Sequence, residues 1–157
     1  MSETPQTHLP SFYRVTHGTA LQCDFHAGQR LAWKSRARFV CVLSGTQGGK
    51  TTFGPPWLQR EIKWRGPGDY LVAAPTYRLL YVKALPEFCG LFENAFQLGR
   101  FISQPVKRFE FSPSGLQALF GKRFLHKPTT VFFGHAYGKI DIHGTGNARQ
   151  LGRCRPG

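Results

Sequence analysis

Residues Ser44, Gly45, Thr46, Gln47, Gly48, Gly49, Lys50 and Thr51 run consecutively and combine the groups needed to hold a polyphosphate. A phosphate-binding loop is spelled Gly, four free positions, then Gly-Lys-Ser/Thr. Here the first position is Ser44, while Gly49, Lys50 and Thr51 are intact. Small residues let successive backbone N–H groups turn inward as an anion nest. The positive N-terminal end of a following helix reinforces the same anion. In that chemistry Lys50 is a mobile point charge for the β- and γ-phosphates, the Thr51 hydroxyl is a ligand for Mg²⁺, and Thr52 is a further candidate for nucleotide contact. A glycine turn followed by a chance lysine is the bland alternative, so the flanking elements decide how specific the pattern is.

Those elements are legible. His26 to Arg36 predicts a short helix that places Leu31 and Trp33 near a core. Arg38 to Leu43 is a continuous apolar run of the kind expected of a buried parallel strand, ending at the glycine-rich turn. A helix is expected from about Lys50 to Trp64, tolerating Pro55 and Pro56 only near its first turns, with Arg65 to Gly68 closing it. Tyr70 to Ala74 predicts a second buried strand, stopped by Pro75. Leu79 to Leu98 has apolar residues at helical spacing, interrupted by Pro86. Val106 to Ser112 and Leu116 to Phe120 alternate as a strand pair around Pro113 and Gly115, and Thr130 to Gly134 is a further strand. Strand, helix, strand, helix at these lengths predicts an α/β fold, with a parallel sheet covered by helices on both faces.

The totals bound the partners. A chain of 157 residues with 41% hydrophobic content suits one folded domain rather than a disordered tail. A formal net charge of +13 attracts polyanions, nucleic acid first and acidic membranes second. Cys23, Cys41, Cys89 and Cys154 form no C-x-x-C pair, which argues against a zinc ribbon and for a reducing compartment. The N-terminus has no signal-peptide core and no apolar run reaches membrane-spanning length, so a soluble, cytoplasmic protein is expected. Three segments are expected: an irregular arm at 1–25 docking through Leu9, Phe12 and Tyr13; a partial nucleotide-binding domain at 26–136; and an irregular, basic, glycine-rich tail at 137–157.

The loop and its flanks resemble the ATPase domain of phage and prophage terminase large subunits, the motors that package viral DNA. The resemblance rests on Gln29, the run Phe39 to Leu43, Thr46 to Thr51 and Phe53 to Trp57. It continues through Gly66 to Tyr70, Ala74 to Arg78, Leu85 to Phe88 and Val131 to Ala136. The Ala-Pro-Thr-Tyr segment ending at Tyr77 points to terminases more narrowly than the loop does. The resemblance implies a P-loop NTPase fold, ATP and Mg²⁺ as cofactors, duplex DNA as partner, and in an intact homologue a small subunit and a portal protein in a bacterial host. It implies that Gln29 reads the adenine edge, that Gly45 to Thr52 hold phosphate, and that Thr76, Tyr77 and Arg78 couple nucleotide state to DNA. The alternatives are a solvent-facing helical residue for Gln29 and a loop that merely caps its strand for Thr76 to Arg78. Many terminases carry an arginine inside the loop where this chain has Thr46.

Hydrolysis in this class also requires an apolar strand ending in Asp, commonly followed by Glu. None of Glu61, Asp69, Glu87, Glu93, Glu110 and Asp141 ends such a strand. The expectation is therefore a truncated ATPase, shifted in reading frame between about Ala136 and Gly144, without its nuclease domain and inactive alone. A non-catalytic nucleotide- or DNA-binding module is the second reading, and another P-loop enzyme such as a helicase fragment or a kinase the third. Lys107, Arg108, Lys122, Arg123 and Lys127 are candidates for contact with the DNA backbone, each equally well read as part of a solvated basic face.

Overall fold

The computed structural model describes residues 13–43, 45, 48–124 and 127–135. Ser44, Thr46 and Gln47 of the loop, the arm before Tyr13, and the tail with Asp141 lie outside the described residues.

The segment expected as an irregular arm contains a short antiparallel hairpin, β1 (Tyr13–Val15) with β2 (Leu21–Cys23). Tyr13 docks as expected and is buried in the main core. Helix α1 (Ala27–Lys34) follows, close to its predicted span. Helix α2 (Lys50–Arg65) starts where the loop ends. Pro55 and Pro56 are buried inside α2, so the carbonyls one turn earlier lack helical donors. Gly66, at φ 91°, ends it in a conformation that L side chains avoid.

Strand β3 (Asp69–Ala74) leads into a helical run, α3, from Tyr77 to Ala95. This run alternates α-helical turns with two π-wound stretches, Leu80–Ala84 and Gly90–Ala95. Pro86 is the second residue of the α-helical stretch Leu85–Cys89 that follows the first of these. Strands β4 (Gly99–Ile102) and β5 (Arg108–Phe111), helix α4 (Pro113–Phe120), a 3-10 turn at Gly121–Phe124, and β6 (Thr130–His135) complete the order.

The sheet order is β3-β6-β5-β4, and only β3 and β6 run parallel. The protein is therefore α/β with a mixed sheet, not the incomplete parallel sheet expected. Two expectations fail for identifiable reasons. Leu116 to Phe120 is helical because the Ser112 hydroxyl caps the Gly115 N–H at 3.0 Å and Pro113 sits in the first turn, so this is a helix start rather than a hairpin turn. The antiparallel partners of β5 are instead Gly99–Ile102 and β6.

The second failure concerns the loop itself. Phe39 to Leu43, expected as a buried strand, belongs to no sheet; Phe39 is 83% exposed. Among the described residues β3 is an edge of the sheet, so no strand reaches the apolar run.

One face of the sheet carries the core. Tyr70, Val72, Val131, Phe133 and Phe109 share that face, and α2 and α3 pack on it through Ile62, Leu80, Phe88, Leu91 and Phe92. Phe88 stacks on Phe92 at 4.2 Å and meets Phe109 and Phe133 edge-on. The opposite face of β3 is open, with Leu71 52% exposed. Helices therefore do not cover both faces of β3, contrary to the parallel-sheet expectation.

Candidate functional site

Helix α1 begins with a reciprocal cap. The His26 Nδ1 accepts from the Gly28 and Gln29 N–H groups at 3.1 and 3.4 Å, and the Gln29 Oε1 accepts from the His26 N–H at 3.2 Å. This arrangement fixes the Gln29 side chain. Gln29 is only 6% exposed, which removes its reading as a solvent-facing residue. Its Nε2 lies so close to the loop that a Cβ on Gly49 would sit 3.0 Å from it. Gly49, at φ 69°, is the residue that turns the chain into α2, a conformation and a contact that both favour glycine.

The Lys50 ammonium donates back to the Gly45 carbonyl at 2.9 Å, and the Gly48 N–H reaches the same oxygen at 3.4 Å. Thus Gln29 from α1 touches the loop at Gly49, at the start of a 16-residue helix, and shares a cleft with Gly48 and Lys50. An adjoining cleft of about 430 Å³ is lined by His26, Gln29, Gly48, Lys50 and Phe53 together with the exposed run Phe39 to Leu43. Sequence reasoning missed His26 and Phe53. The spacing of His26 to Gln29 as a capping box was the available signal for the first.

An aromatic and arginine layer joins α1 to α2 beneath the cleft. Phe25, Trp33, Phe53 and Trp57 pack together at centroid distances of 4.9 to 6.2 Å. The Arg60 guanidinium lies over both Trp33 and Trp57 and donates to the Ser35 carbonyl at 3.1 Å. This layer fixes the distance between Gln29 and the loop.

The fit to the implied ligands is uneven. Loop glycines, lysine and helix start suit a phosphate group. Thr51 is exposed on the first turn of α2 and offers one hydroxyl to a metal ion. Among the described residues no cluster of three His, Cys, Asp or Glu side chains is placed to share one. Glu61, further along the same helix, pairs with Arg65 at 2.8 Å and with Arg60 at 3.4 Å.

Thr76, Tyr77 and Arg78 lie elsewhere, at the carboxyl end of β3. The Thr76 hydroxyl accepts from the Leu79 N–H at 3.3 Å, so Thr76 caps α3. Tyr77 rests on His135, the last residue of β6, at 3.9 Å between ring centroids. The Lys107 ammonium lies over the Tyr77 ring; Arg108 pairs with Glu110 at 2.6 Å; and Lys122 and Lys127 are exposed. No helix of the described residues is long and apolar enough to cross a membrane.

Set against protein-family models, curated proteins and solved structures, the chain matches none of them. Residue chemistry and geometry are therefore the basis for assigning it a role.

Proposed function

We propose that the loop from Gly45 to Thr52 binds the phosphates of a nucleoside triphosphate, with Gln29 at the edge of the base. The nucleotide is ATP accompanied by Mg²⁺, and the lineage is that of a DNA-packaging motor acting on duplex DNA, as the terminase resemblance implies. The supporting observation is the contact of Gln29 with Gly49 at the N-terminus of α2, beside a cleft that Gln29, Gly48 and Lys50 line together. When a triphosphate binds, Lys50 exchanges the Gly45 carbonyl for phosphate oxygens, and the first-turn amides of α2 face the same anion. Bound Mg²⁺ would neutralise phosphate charge, with Thr51 as the protein hydroxyl beside it.

A second reading, a nucleotide-binding module that does not hydrolyse, is favoured by one observation. Phe39 to Leu43 lies outside the sheet, so the loop lacks the rigid strand that positions it in a complete ATPase, and of the two flanking elements that make the pattern specific only helix α2 is present. Both readings share the phosphate site and differ in turnover.

The test is titration with a fluorescent ATP analogue. Lys50→Ala removes one charge-assisted contact of roughly 1.5–3 kcal/mol, so affinity falls about tenfold or more. Equal affinity of the parent and Lys50→Ala chains for the analogue rejects both readings. Phosphate release by the parent chain alone selects the first reading over the second.

A further inference from the structure

We propose that the carboxyl end of the β3–β6 pair is a stacking platform for unpaired bases of a single-stranded nucleic acid. This inference does not depend on the phosphate site. Tyr77 and Tyr81, one helical turn apart on α3, have ring centroids 6.4 Å apart and are 40% and 42% exposed. Lys107 brings its ammonium to 4.8 Å from the Tyr77 ring centre and 5.7 Å from that of Tyr81. Among the described residues Lys107 makes no ion pair, so its charge is held by ring faces rather than by a carboxylate. Arg78 and Val82, four residues apart on the same helical run, are also exposed.

The partner is identified by this combination. Exposed aromatic rings beside cations match a strand whose bases are free to stack and whose phosphates lie one backbone length away. A duplex conceals its base faces and would use the cations alone. An acidic peptide would satisfy Lys107 and Arg78 but leave the two rings without a matching planar group. The net charge of +13 adds a general attraction for the phosphate backbone. His135, packed against Tyr77, sets that ring's tilt from the sheet side.

The experiment is fluorescence anisotropy at fixed salt with the full chain, using oligo-dT, oligo-rU and a duplex of equal length, about 16 nucleotides. Both single strands are expected to bind more tightly than the duplex, and the ratio of dT to rU affinity tells DNA from RNA. The double variant Tyr77→Ala, Tyr81→Ala should weaken single-strand binding by about 5- to 150-fold and leave duplex binding nearly unchanged. Unchanged single-strand affinity, or an equal loss for duplex, overturns the proposal. If the double variant does not fold, photocrosslinking of the parent chain to iodouracil-substituted strands decides. Adducts on Tyr77 or Tyr81 support the platform, whereas adducts only elsewhere, or none, overturn it. Repeating the titration with Lys50→Ala separates this site from the nucleotide site, because loss of nucleotide binding there should leave single-strand affinity intact.

Discussion

Gly115 illustrates how a single residue can carry more than its apparent role. In the sequence it reads as one member of a Pro-Ser-Gly turn. In the fold it lies in the first turn of α4, packed directly on the chain between α3 and β4. A Cβ there would come 1.9 Å from the Leu98 carbonyl oxygen, backbone that cannot swing aside. Gly115→Ala is therefore expected to destabilise the protein by roughly 1–3 kcal/mol or more, read as a lower midpoint in urea. An unchanged midpoint would mean that Leu98 is not held where the fold puts it. At the same scale, Gly49 and Lys50 were recognisable from residue type and spacing, and Gln29 from the family resemblance. Their mutual contact was not, because it depends on where α1 lies across the end of α2.

At the scale of elements, α3 shows how periodicity and packing combine. Its apolar spacing was legible, and so was the disturbance at Pro86. The change to π winding was not, because it depends on fitting Leu80, Phe88 and Phe92 to one sheet face. Glu87 lies on this element, where burial pushes its carboxyl above the usual carboxylate range. Its negative charge, after burial itself, contributes to pushing the Tyr13 hydroxyl up to about 12. With the folded pKa raised, stability is fully present below the unfolded Glu value of about 4.3 and declines as pH rises through the folded value. Glu87→Gln should flatten that slope in thermal unfolding measured from acid to neutral pH. A variant with the parental slope would assign the pH dependence to another group. The misread segment Leu116 to Phe120 belongs here too: alternation over five residues is shared by strands and short helices, and the Ser112 cap decided between them.

For the whole molecule, the decisive feature is an unbalanced sheet. Helices cover one face, β3 forms an edge, and Leu71 opens to solvent on the far face. Phe39 to Leu43 adds exposed apolar chain near the same helices. Exposed strand edges with apolar neighbours promote association between copies. Leu71→Lys is expected to reduce concentration-dependent light scattering while moving stability by no more than about 0.5 kcal/mol. Scattering that persists unchanged in Leu71→Lys would locate association elsewhere, and a large loss of stability would show that Leu71 is covered after all.

Residue order alone determined the glycine-lysine loop, the helix that starts at Lys50, the strands at Tyr70 and Thr130, and the basic charge, because each is set by local chemistry or simple counting. Only the tertiary structure decided that the sheet is mixed, that Phe39 to Leu43 stays outside it, and that Tyr77, Tyr81, Lys107 and His135 converge. Strand pairing and side-chain convergence depend on contacts between segments far apart in the chain, and a local pattern of hydrophobicity does not specify which edge or which neighbour a segment will find.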